Sequence, residues 1–113
     1  MKYEELEKRV FAWKPITDKY LDLELNNAIV CVVNFTGLAI SEVVNRLFSR
    51  TRTRENATIK AYVIAFLASR YISRNSIAFI LRLNRRTVHH YLENWVLNPF
   101  NKGLKRFVEH LTI

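Results

Sequence analysis

The stretch Ser76-Ile77-Ala78-Phe79-Ile80-Leu81-Arg82-Leu83-Asn84-Arg85-Arg86-Thr87-Val88-His89-His90-Tyr91 decides the fold class. Its apolar residues fit two short helices packed around a tight turn. Small Ala78 permits close approach of the second helix, and Ile77, Leu81, Leu83, Val88 and Tyr91 fall at inward positions. The outward residues are Asn84, Arg85, Arg86, His89, His90 and Glu93, mostly donors and cations. A helix lying in a major groove needs such a face. Arg82 stands where such a turn often has glycine. The plainer alternative is a helical hairpin with a solvated basic face.

Upstream, Ser49-Arg50-Thr51-Arg52-Thr53-Arg54 alternates hydroxyls with arginines and contains no apolar residue. Arginine suits phosphate clamping and insertion into a narrow minor groove, and hydroxyls add neutral phosphate donors. A solvated loop that caps the following helix through Thr53 or Asn56 is the structural alternative. Beyond it, Ile59, Tyr62, Val63, Phe66, Leu67 and Arg70 recur at helical spacing. They predict the longest helix, reaching about Ser73 and forming the centre of the core.

Four further segments complete the chain. Tyr3, Leu6, Val10 and Trp13 share one helical face over 2–14, which Pro15 stops. This face covers the domain's own core or pairs two copies, so a homodimer is possible. Leu21, Leu23 and Leu25 alternate like a strand, but the residues from Asn26 onward fit a buried helix ending at Gly37. Ser41 is a good cap for a short helix reaching Phe48, with Val43, Val44 and Leu47 inward. Helices over about 75–82 and 85–96 follow, with Pro99 ending the run. Gly103 leads into an amphipathic piece bearing Leu104, Phe107, Val108 and Leu111. The expectation is one all-α domain of six to seven helices over 1–113. Its parts are an N-terminal extension (1–25), a helix-turn-helix core (26–96) and a C-terminal helix (97–113).

Composition narrows the function. The 113 residues carry 18 Lys+Arg against 10 Asp+Glu, a formal net charge of +8. Such an excess points to a polyanion, nucleic acid before a membrane surface. Half the residues are hydrophobic, with seven Phe, five Tyr and two Trp, which argues against disorder. Two Gly and two Pro argue against an all-β architecture. The apolar run 28–33 is too short to span a bilayer. A single cysteine, Cys31, excludes an internal disulfide and implies a reducing compartment, the cytoplasm. The glycines Gly37 and Gly103 cannot build a phosphate loop. No convergent acid, base or nucleophile cluster suggests an enzyme, and no cofactor is expected. Adjacent His89 and His90 cannot share a helical face, so a metal site is not expected there. His89 is placed toward the groove and His90 at the core edge. Trp13 and Trp95 read as core anchors, Cys31 as a buried inert thiol and His110 as a surface residue.

Arg50-Thr51-Arg52-Thr53-Arg54-Glu55, the long helix and then 73–91 together resemble the C-terminal DNA-binding domain of the bacterial replication initiator DnaA. The resemblance covers about 26–95. It implies a Trp-repressor-like helical fold with a basic loop, a long helix and a helix-turn-helix. That family's signature is Arg-Asp-His-Thr-Thr-Val, and here Leu83-Asn84-Arg85-Arg86-Thr87-Val88 aligns with it. Thr87 and Val88 match and Asn84 is isosteric with Asp, whereas Leu83, Arg85 and Arg86 depart. The family's target site and base contacts therefore do not carry over. The ATPase domain has no counterpart, so initiation activity does not follow. Combined with the residues, the resemblance implies sequence-specific double-stranded DNA binding in control of replication or transcription. The site would be Arg50, Arg52, Arg54, Asn84, Arg85, Arg86, Thr87, His89 and His90. The alternative is a basic interaction module that binds an acidic partner protein without touching DNA.

Overall fold

A buried helix, polar on almost no side, organises the molecule. In the computed structural model, which describes residues 2, 4–6, 8, 18–98 and 100–111, the elements are α1 (Asp18–Thr36), α2 (Ile40–Leu47), α3 (Arg54–Ser69), α4 (Arg74–Leu81), α5 (Arg85–Tyr91) and α6 (Lys102–His110). A π-helical turn, Leu92–Val96, continues α5. No β-strand occurs among the described residues. The class is all-α, as the periodicity requires.

Helix α3 is buried continuously from Ile59 through Ser69. An amphipathic surface helix would show one apolar stripe, so an apolar circumference marks a helix surrounded by others. Helices α1, α2, α4, α5 and α6 pack around it, and one cluster of buried residues runs through all of them. Phe35 from α1 meets Tyr62 and Phe107 edge-on at 5.6 and 5.2 Å, and the last two stack at 4.7 Å. This aromatic group locks α1 and α6 onto α3.

Several boundaries differ from the sequence expectation. The longest helix is α1, with 19 residues against 16 for α3. The 21–25 segment is helical, with Leu21 buried, Leu25 half-buried and Leu23 exposed; helical spacing, not alternation, sorts them. Helix α3 stops at Ser69, and Ser73 instead caps α4 by accepting the Ser76 amide at 3.3 Å. Ser41 caps nothing; the N-cap of α2 is Ala39, which makes no side-chain cap bond. Gly37 ends α1 at φ +75°, and its amide donates to the Val33 carbonyl at 2.9 Å. Gly103 lies inside α6, not before it. Of the proposed N-terminal face, Leu6 is fully buried, while Tyr3, Val10, Trp13 and the stop at Pro15 lie outside the described residues, as does Pro99. Among the described residues no single helix is long and apolar enough to cross a membrane.

Candidate nucleic-acid interface

The segment between α2 and α3 has no regular structure, yet two side chains of α3 fix its shape. Lys60 is 8% exposed, and its Nζ donates to the carbonyls of Ser49 at 2.7 Å and Arg46 at 3.2 Å. Asn56 is buried too; its Nδ2 donates to the Thr51 carbonyl at 3.0 Å and to Ser49 Oγ at 3.1 Å. Arg46 closes the set, donating to Asn56 Oδ1 at 3.4 Å while pairing with Glu42 at 3.1 Å. Thr53 caps α3 by accepting the Asn56 amide at 3.2 Å. The loop's Ser49 and Thr51 carbonyls are thus bonded from beneath, and Arg50, Arg52 and Arg54 are left exposed. Burial lowers the pKa of Lys60, because the charged form loses hydration.

The facing wall is α4, its turn and α5. Arg82 takes the left-handed conformation at φ 55° and ψ 40°, where glycine is usual. The Leu83 amide donates to the Ala78 carbonyl at 2.9 Å and the Arg82 amide to the Phe79 carbonyl at 3.3 Å. These are the two bonds of a Schellman ending, which turns the chain sharply into α5. Asn84 then caps α5, its Oδ1 accepting the Arg86 amide at 2.8 Å. Ile77, Ala78, Leu81 and Val88 are buried between the helices, with Leu83 and Tyr91 half-buried, as the spacing requires.

The two walls enclose an open cleft of about 920 Å³. Arg50, Arg52 and Arg54 line it from the loop, Arg82, Arg86, Thr87 and His90 from the turn and α5, and Lys60 from its floor. No acidic residue lines it. Phe48, Tyr91 and Trp95 supply aromatic surface, and the Arg82 guanidinium sits 5.9 Å from the Phe48 ring centre, joining the walls. Burial pushes the Tyr91 phenol up; the positive charge of Arg52 works the other way.

The sequence-derived residues divide on this frame. Arg50, Arg52, Arg54, Arg86, Thr87 and His90 share the cleft; Asn84, Arg85 and His89 do not line it. Asn84 is occupied as a cap. Arg85 is exposed outside the cleft. The histidines depart from the expected places: one residue of helix rotates the side chain by about 100°, and it is His90 that lines the cleft, while His89 is exposed outside it. His89 Nδ1 lies 2.8 Å from Arg74 Nη1, and its Nε2 lies 3.2 Å from Glu93 Oε1. His90 is exposed, not at the core edge, with Nδ1 3.1 Å from Asn94 Nδ2. Trp95 is half-buried with one side on the core and also lines the cleft. Among the described residues, no group of three or more His, Cys, Asp or Glu is placed to hold a metal. Cys31 is half-buried, and burial raises its thiol pKa.

Spacing singled out neither Lys60 nor Arg82 as a site residue, and Asn56 only as a possible cap. Lys60 did carry a signal: it is the one charged residue in the run 56–69 of a helix apolar on every side. A lysine there must find carbonyls or remain unpaired. No protein-family model, no curated protein and no solved structure matches this chain.

Proposed function

We propose that the chain is a non-enzymatic, cytoplasmic DNA-binding protein acting in control of replication or transcription. The α4–turn–α5 unit serves as a helix-turn-helix whose second helix enters the major groove. The loop arginines grip the adjacent backbone or minor groove. One observation carries this reading: the loop arginines and the N-terminal residues of α5 share a cleft without a single carboxylate. A sugar–phosphate ridge seated there would meet cations on both sides. The resemblance of 26–95 to the DnaA C-terminal domain supports the same assignment, with its signature changed at four of six positions, one of them the isosteric Asn84. One copy presents both walls, so the contact needs no dimer.

The test is binding to a mixed-sequence duplex and to a selected preferred duplex across a salt series. Replacing Arg50, Arg52 and Arg54 by Ala should weaken binding to every duplex. Each lost phosphate contact should lower the slope of log affinity against log salt by about 0.9. Arg86→Ala should cost about 1–3 kcal/mol on the preferred sequence and less elsewhere, since arginine can pair bidentately with guanine. Absence of duplex binding at low salt by the folded protein would overturn the proposal. It would favour an acidic partner protein for the same cleft.

A further inference from the structure

The cleft has a second chemical character beside its charge. Tyr91 and Trp95 lie one helical turn apart on α5 and its π-helical continuation, with ring centres 5.9 Å apart. Both are half-buried against the core, and both line the cleft. On the opposite wall Phe48 keeps 38% of its surface exposed. A paired base shows a protein only its edges, because its faces are stacked inside the duplex. Aromatic surface beside arginines instead matches a strand whose bases are free to stack.

We propose that the cleft holds an unpaired nucleotide of a DNA strand, with its phosphates on Arg50, Arg52 and Arg86 and its base against the Tyr91–Trp95 wall. This rests on the DNA-binding reading of the same cleft and adds a preference for strand state. The phosphate contacts of Arg50 and Arg52 are shared with duplex binding, in which Arg86 instead reaches a base edge; the stacking contact is not shared. Trp95 is therefore the residue at which the two modes separate.

The test uses the full chain with a fluorescent oligothymidylate of about 12 nucleotides, which has no duplex form, and with a duplex of about 20 base pairs. The oligothymidylate should bind and quench tryptophan emission. Trp95→Leu should weaken it about 5- to 150-fold, the loss of one stacked base, and change duplex affinity less than about threefold. Trp95→Phe keeps a stacking face and should retain most of the affinity while losing the quenching. If Trp95→Leu fails to fold, Trp95→Phe still decides. Quenching that persists in Trp95→Phe arises at Trp13 and overturns the proposal. Duplex binding without oligothymidylate binding also overturns it and leaves the proposed function standing. An equal loss on both ligands assigns Trp95 to the shape of the cleft and overturns it as well. Failure of both ligands overturns both proposals.

Discussion

The two walls of the cleft are held by different physics. The helix wall rests on apolar packing: Ile77, Ala78, Leu81 and Val88 are buried between α4 and α5, and backbone caps fix the turn. The loop wall has no apolar contact of that kind along 49–54. It rests on a buried ammonium and a buried amide reaching up from α3 to backbone carbonyls. The first device is local and periodic. The second joins residues five to fourteen positions apart through single hydrogen bonds. A cationic surface of defined shape needs the second kind, because arginines and hydroxyls bury too little apolar area to fold a loop by themselves.

The largest effect should come from truncating the core that the whole fold shares. Phe66 lies in the buried centre of α3, with the Arg70 guanidinium 5.1 Å from its ring centre. Phe66→Ala should destabilise the protein by about 3–5 kcal/mol. Denaturant titration should show one transition shifted as a whole. If only the loop or only the α4–α5 unit loosened, the walls would not share the common core described above.

A smaller change should separate them. Lys60→Met fills most of the same space but leaves the Ser49 carbonyl without its donor, while the Arg46 carbonyl keeps the Ser49 amide. Losing that partner should cost about 1–3 kcal/mol. Amide exchange should rise in the loop and stay unchanged in α4 and α5. If duplex DNA is the ligand, the salt slope should fall as well, because the arginines lose their fixed positions. The pH dependence carries a second signature. Burial lowers the folded pKa of Lys60 below its ordinary value of 10.5, so unfolding takes up a proton in the window between them. Stability contributed by this residue is therefore lowest at neutral pH and rises with pH through that window. Tyr62, Tyr91 and Cys31 are shifted upward by burial and act in the opposite sense, so the wild-type minus Lys60→Met difference isolates the lysine. A flat difference would mean that Lys60 is not buried in solution.

That contrast also explains what the sequence made legible. The all-α class, the central place of α3, the inward set of α4 and α5 and the Gly37 ending follow from spacing and caps alone. The Ser41 cap failed because a capping residue type is not a cap unless the chain enters the helix there, and it enters at Ala39. The extended end of α3 failed because Tyr71 adopts φ 63°, which neither residue type nor period announces. In the site, the cations were legible as a charge pattern. Which of them meet was not, because that depends on the loop's fold over Lys60 and Asn56. His90 was misplaced at the core edge because the phase of a seven-residue helix is poorly determined by a few apolar positions.

The smallest expected effect tests the joint between the walls. Arg82 pays a left-handed backbone penalty of about 1–2 kcal/mol that glycine avoids. Against this, glycine gives up about 0.5–1 kcal/mol of chain entropy, and it also loses the cation–π contact with Phe48, worth about 0.5–1 kcal/mol when exposed. For Arg82→Gly the terms nearly cancel, and stability should move by less than about 1 kcal/mol. Arg82→Ala loses the same ring contact and keeps the strain, so it should be the worse variant. In an ordinary helix position alanine is better than glycine by about 1 kcal/mol; at position 82 the order should invert by a similar amount. Thermal melts of the two variants read that inversion directly, with charge and ring contact removed equally in both. If alanine proves the more stable, the turn does not hold its left-handed residue, and the helix wall loses the geometry that brings Arg82 over Phe48. If glycine is the more stable and duplex binding still weakens, the lost affinity belongs to the guanidinium in the cleft and not to the turn.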